Sequence, residues 1–283
     1  MIIDMHIHPI YYASICGNPE EEKFRSEAFG IYKQSPYGYD EIFTEMDYAK
    51  VDKAALLALD VTTTEGGCIV TNEQVAKLVS EFPDRFYGFG SVDPNREDAS
   101  EVLDHAFGAL KLDGLKLNPA KQRFNPDDPK YYPLYEKCIA YNKPIIFHAG
   151  LSWEPGAVTE YAHPFRFERI AIDYPQLRIC LAHFAWPFVR ELVMLLIKYP
   201  NVYTDTSALY MDSPEESIER ILRTDMGPLW VDRALHGQIM FGSNGPRFRQ
   251  FKLMRGLEKV PMRERSREEI YFRNALRFMG KEE

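Results

Sequence analysis

The chain has 283 residues, of which 45% are hydrophobic and 27% charged, with a formal net charge of −8. This is the composition of an ordinary globular protein, large enough to bury a core without disulfide staples. The negative balance excludes a nucleic-acid groove as its main business.

Taken in chain order, hydrophobic pattern and turn signals alternate between strands and helices. 'MIIDMHIH' is the first strand, and a polar, aromatic insertion over 9–38 follows it. 'YDEIFTEMDYAKV' has helical spacing, 'DKAALLALD' is the second strand, 'NEQVAKLVSEFP' a helix and 'RFYGFGSVD' the third strand. 'NREDASEVLDHAFGAL' is helical and 'GLKLN' is the fourth strand; 'YYPLYEKCIAYN' then leads to the fifth, 'KPIIFHAG'. 'PFRFERIAIDYP' precedes the sixth strand, 'LRICLAHF', and 'PFVRELVMLLIKYP' precedes the seventh, 'NVYTDTS'. A longer stretch leads to the eighth, 'GQIMFGS', and 'SREEIYFRNALRFM' is the closing helix. Eight strands alternating with helices, and no internal linker, predict an α/β fold: one (β/α)₈ TIM barrel over residues 1–283, with a short insertion after strand one. The rival, a doubly wound open sheet, more often carries a Gly-rich turn after its first strand. Here 'HIHPIYY' stands in that place.

In a barrel the chemistry gathers at the carboxyl ends of the strands. Asp4, His6 and His8 alternate along strand one, so all three are expected on one face. His148 ends strand five, His183 strand six, Lys116 strand four and Asp205 strand seven; Asn244 follows strand eight. Two imidazoles at i and i+2 can reach one cation, and a third from another strand completes a facial set of the kind zinc accepts. H-x-H alone is a weak signal, because paired histidines also occur on plain strands. Joined to His148 and His183 it points to a metal site. His105, His163 and His236 read as surface, loop-fixing and turn residues.

With these residues in place, 'IIDMHIHP', 'GFGSVDP', 'GLKLNP', 'PIIFHAG', 'HPFRFERIAIDYPQLRICLAHF', 'YPNVYTDTSA' and 'FGSNGP' resemble the amidohydrolase-related branch of the amidohydrolase superfamily. That branch includes metal-dependent hydrolases and the aminocarboxymuconate-semialdehyde and resorcylate-type decarboxylases. The resemblance implies one divalent metal, zinc or else manganese, with His6, His8 and His148 as ligands and His183 beside the open position. It also implies an aspartate where Asn244 stands. In binuclear branches a strand-four lysine is carboxylated, whereas 'GLKLNP' fits the one-metal pattern. Lys116 is then a free ammonium, binding an anionic substrate group or pairing with a carboxylate.

An asparagine amide cannot take a proton from bound water. Either His183, oriented by Asp205, is the base, or the residue is an engineered block, or catalysis has given way to binding. Arg247, Arg249, Arg166 and Lys116 are candidate clamps for a carboxylate, and Tyr11, Tyr12, Trp153 and Trp186 could line a cavity. The expected activity is hydrolysis of a small carboxylate-bearing or cyclic lactone or amide substrate. A carboxy-lyase acting on a small aromatic or unsaturated acid is the runner-up. The expected partner is a small-molecule substrate, with no nucleic acid and no membrane, and a homodimer stays open. Four scattered cysteines without a C-x-x-C pair, no signal-peptide pattern and no long apolar segment lead to a cytoplasmic expectation.

Overall fold

The structure, a computed structural model, describes residues 1–208, 211 and 213–281. Eight parallel strands follow the predicted order: β1 (Ile3–Ile7), β2 (Lys53–Leu57), β3 (Phe86–Ser91), β4 (Gly114–Leu117), β5 (Ile145–Phe147), β6 (Ile179–Leu181), β7 (Val202–Asp205) and β8 (Ile239–Met240). They are apolar on both faces because helices cover the outside, as a parallel sheet requires. Residues following β8 join the ring to β1. Met5 N–H donates to the Phe241 carbonyl (2.8 Å), Asn244 N–H to that of His6 (2.9 Å), and His8 N–H to that of Gly245 (2.7 Å). The strands therefore form a (β/α)₈ barrel whose first and last strands meet beside the histidines.

Ile3, Met5, Leu57, Phe89, Tyr203 and Met240 fill the barrel together with Phe278 and Met279. The last two belong to the closing helix, so that helix plugs the end opposite the histidines. The helices between strands stop and start on local chemistry. Thr71 and Gln74 form a reciprocal capping box at Asn72–Glu81. In the insertion, Asn18 caps a helix α1 (Pro19–Phe29), and Gly30 ends it with φ 68°. The next helix, α2 (Tyr39–Tyr48), packs against α3 (Gln250–Glu258), which follows β8.

Two features depart from expectation. The second strand stops at Leu57, and Leu59–Asp60 pairs instead with Cys68–Val70 in an antiparallel ribbon. In β1 the strict alternation fails. Asp4 stands opposite Ala54 and Ile7 opposite Leu56, so Met5 and His6 share the space facing Ala55 alone. Such a bulge adds one residue and re-aims the side chains beyond it. Asp4 thus lies on the outer side, not on the face of His6 and His8. There its carboxylate accepts from Gln250 Nε2 (2.9 Å), Ser243 N–H (2.9 Å) and His6 N–H (3.0 Å).

Candidate metal centre

The bulge turns His6 toward the barrel mouth, and His8 follows at the end of β1. A left-handed turn at the end of β6, with φ of 62°, 50° and 48° at His183, Phe184 and Ala185, fixes the third imidazole. Three consecutive non-glycine residues in that region hold local strain of the sort that collects at functional sites. His148 follows β5. All four histidines are buried, and they face one another. His6 Nε2 lies 3.3 Å from His8 Nε2, and His148 Nδ1 lies 3.1 Å from His183 Nε2.

The outer nitrogens decide what the inner ones carry. His6 Nδ1 meets Asp205 Oδ2 at 2.8 Å, and His148 Nε2 meets the Leu151 carbonyl at 3.0 Å. His183 Nδ1 meets the Ser207 carbonyl at 3.1 Å and Ser207 Oγ at 2.7 Å. Each of these partners accepts, because Ser207 Oγ donates its own proton to Asp205 Oδ1. The protons of His6, His148 and His183 therefore sit outward, and bare lone pairs point inward. His8 Nδ1 is buried without a partner among the described residues. Burial holds all four imidazoles below their ordinary 6.5, His148 at about 3, and charges nearby add to the effect. Bare nitrogens 3.1 Å apart repel unless a cation stands between them, and protonation is disfavoured. The donor set fits a divalent metal ion.

A second grouping is also close: His6, His183 and Asp205 offer ligand atoms all within 4.8 Å of one another. It exchanges His8 and His148 for His183 and Asp205. The imidazoles have inward lone pairs free for a metal, whereas the Asp205 oxygens are already engaged. Besides His6 and the Ser207 hydroxyl, they accept from His183 N–H (2.9 Å) and Ser207 N–H (3.1 Å). A carboxylate that fixes a histidine's tautomer from behind is the common support of metal-bound imidazole.

Beside the histidines lies a small pocket of about 30 Å³, lined in part by His8, His148, His183, Asn244, Lys116 and Arg247. Lys116 is 1% exposed, its Nζ has no hydrogen-bond partner among the described residues, and burial lowers its pKa to about 8. Arg247 donates to the Phe29 carbonyl (2.9 Å) and lies over the Phe29 and Trp153 rings. Asn244, in the left-handed region at φ 64°, donates from Nδ2 to the Ala208 carbonyl (3.0 Å).

The pocket thus brings together Lys116, Arg247, Trp153 and Asn244, but not Trp186 or Tyr12. Trp186 packs on the core; its carbonyl accepts from Leu151 N–H (2.7 Å) and its own N–H donates to the His183 carbonyl (2.9 Å). Tyr12 is drawn into a separate cavity behind β1. Arg249 is paired with Glu45, and Arg166 with Glu160 and Asp127, all away from the pocket. Sequence reasoning missed Ser207, which the i+2 spacing from Asp205 in 'TDTS' could have flagged. It also missed Phe29, Leu59 and Lys121, which the insertion, the ribbon and the loop after β4 bring to the rim.

A family model described as amidohydrolase matches residues 3–281. The 2-amino-3-carboxymuconate-6-semialdehyde decarboxylase of Dictyostelium discoideum is 25% identical over 188 residues, 59% of this chain and 49% of its own. This chain therefore spans about half the length of that relative. Among solved structures, an uncharacterized TIM-barrel protein from Bordetella bronchiseptica matches with a TM-score of 0.77 and 21% identity, over 99% of this chain and 98% of the other. A mutant 5-carboxyvanillate decarboxylase from Novosphingobium aromaticivorans, with bound manganese and 3-methoxy-4-hydroxy-5-nitrobenzoic acid, matches with a TM-score of 0.71 and 16% identity, over 99% and 97%. At these identities the structural likeness speaks for the fold alone.

Proposed function

The chain belongs to the amidohydrolase family, and from that premise we propose that it is a metal-dependent carboxy-lyase acting on a small carboxylic acid held at the barrel mouth. The buried, unpartnered ammonium of Lys116 carries this reading. An isolated charge out of water is costly, and a substrate carboxylate in the pocket is the partner that offsets the cost. Arg247 supplies a second cation on the same wall, and Phe29, Leu59 and Trp153 give the substrate an apolar, water-excluding rim. His6, His8 and His148 would hold a divalent ion, zinc or manganese, which would supply Lewis acidity toward a substrate oxygen.

Loss of the carboxyl group as carbon dioxide requires no base to activate water, and the one proton that must replace it on carbon would come from the Lys116 ammonium on the pocket wall. Asn244 cannot take a proton, and the Glu154 carboxylate is engaged by the Ser152 hydroxyl (2.8 Å). Hydrolysis is the second reading, favoured by the inward lone pair of His183. Burial and the neighbouring imidazoles hold its basicity well below that of free imidazole. The test is a panel of aromatic and unsaturated acids, lactones and amides, given to protein of known metal content. Carbon dioxide release that falls with Lys116→Met supports the lyase. Acid release from a lactone or amide supports the hydrolase. No turnover, together with tight retention of a metabolite, supports a binding protein.

A further inference from the structure

Behind β1, on the side away from the histidines, lies a cavity of about 290 Å³. It is enclosed by α2, by the end of the insertion and by the loop after β8, and it shares no lining residue with the metal-side pocket. Its apolar surface comes from Ile7, Ile42, Met46 and Phe248. Two phenols face it, Tyr12 and Tyr37, pinned by a parallel bridge between their backbones, with ring centroids 5.7 Å apart. Tyr12 is only 5% exposed, yet its hydroxyl makes no hydrogen bond among the described residues. The hydroxyl oxygen is not sealed in the core like the Lys116 ammonium; it opens onto the cavity, where an occupant can bond to it.

The charges around the cavity are already used. Arg249 pairs with Glu45, whose other oxygen accepts from Gln250 N–H (3.3 Å). Glu41 accepts from Gly38 N–H (2.9 Å). Among the described lining residues two carboxylates, Glu41 and Glu45, stand against the one guanidinium of Arg249, so this cavity disfavours the anions that suit the metal-side pocket. Its volume lies near the lower end of small-molecule sites, which run from ~300 Å³ upward, and a single substituted ring, which needs roughly 150 Å³ or more, fits within it. We infer that the cavity behind β1 is a second ligand site, taking an uncharged ring compound with a hydrogen-bonding group placed against the Tyr12 hydroxyl.

The cavity is independent of the reaction at the metal centre, with which it shares no lining residue. The test titrates the full metal-loaded chain with 4-fluorophenol, followed by fluorine NMR, with 4-fluorobenzoate as the anionic control. Saturable millimolar binding is expected, weakened about fivefold by Tyr12→Phe, the effect of one hydrogen bond. Ile42→Trp fills the cavity and is expected to abolish it; if that variant fails to fold, Tyr12→Phe still reads the site. Lys116→Met should leave phenol affinity unchanged, and the benzoate should not displace the phenol. Absence of saturable binding overturns the site. So does phenol affinity that is indifferent to both cavity variants, lost with Lys116→Met, or competed by the benzoate.

Discussion

At position 244 the amide is used as an amide. Asn244 Nδ2–H donates to the Ala208 carbonyl at 3.0 Å, a bond no carboxylate can make. Asn244→Asp would set two acceptors against each other in a buried place, and we expect it to destabilise the protein by about 1–3 kcal/mol. It should also weaken benzoate binding, since it adds a negative charge to a pocket whose nearby free charge is Lys116. Thermal melts and a benzoate titration check both, and tighter benzoate binding by the aspartate form would overturn the electrostatic part. Asp205 makes a separate prediction. If it acts by holding the His6 proton outward, Asp205→Asn should lower metal affinity about 10–100-fold and leave the fold intact, whereas the His6→Ala, His8→Ala pair should lose the metal. Chelator competition measures both, and an unchanged affinity in Asp205→Asn would remove its orienting role. The four histidines were legible because each lies within or just beyond the last residues of a strand in a distinctive local pattern. Tyr12 and Trp186 were not, since the cavity an aromatic ring enters depends on how the insertion and the loop after β6 pack, and no spacing within one segment records that.

Strands and turns explain which histidine positions could be read and which could not. The βα alternation was visible as periodicity. The bulge in β1 was not, because an extra residue is defined against the partner strand, here by Ala54 and Leu56 standing opposite Asp4 and Ile7. Without that bulge, alternation would put Met5 and Ile7 in the barrel and His6 and His8 outside. The loops after β5 and β6 are coupled just as closely. Gly150 has φ 83°, and a Cβ there would lie 2.1 Å from the Trp186 carbonyl oxygen and 2.5 Å from the Ala185 backbone. Gly150→Ala combines left-handed strain with a clash against backbone that cannot swing aside. We expect a loss of at least about 1–3 kcal/mol, together with reduced metal occupancy, because the turn that must yield carries His183. Elemental analysis and a melt of the same sample test this. A variant with full occupancy and an unchanged melting temperature would mean that the two loops move independently.

Across the whole molecule, burial holds four interior imidazoles neutral, and that makes stability depend on pH in a definite direction. Burial lowers the four imidazoles below 6.5, His148 to about 3. Below 6.5 the unfolded chain takes up protons that the folded metal-free protein refuses. Their contribution is complete above 6.5 and is lost as pH falls toward the folded values. Asp4 works in the opposite sense. Burial raises it from 3.8 to about 6, so its ionisation penalty is present in full above 6 and is relieved toward 3.8. One carboxyl relieved does not offset four imidazoles opposed. Lys116, lowered from 10.5 to about 8, acts only at higher pH, where stability rises from 8 to 10.5. The metal-free protein should therefore show a lower urea midpoint at about pH 5 than at about pH 7.5. Added zinc or manganese binds unprotonated imidazole, and the folded protein keeps its imidazoles unprotonated at both values, so the metal should stabilise at about pH 5 nearly as much as at about pH 7.5. Urea titrations of metal-free and metal-loaded protein at both values supply the comparison. A metal-free midpoint that rises on acidification would mean that Asp4 outweighs the imidazoles, and that the four histidines are less deeply withheld from protons than their burial requires.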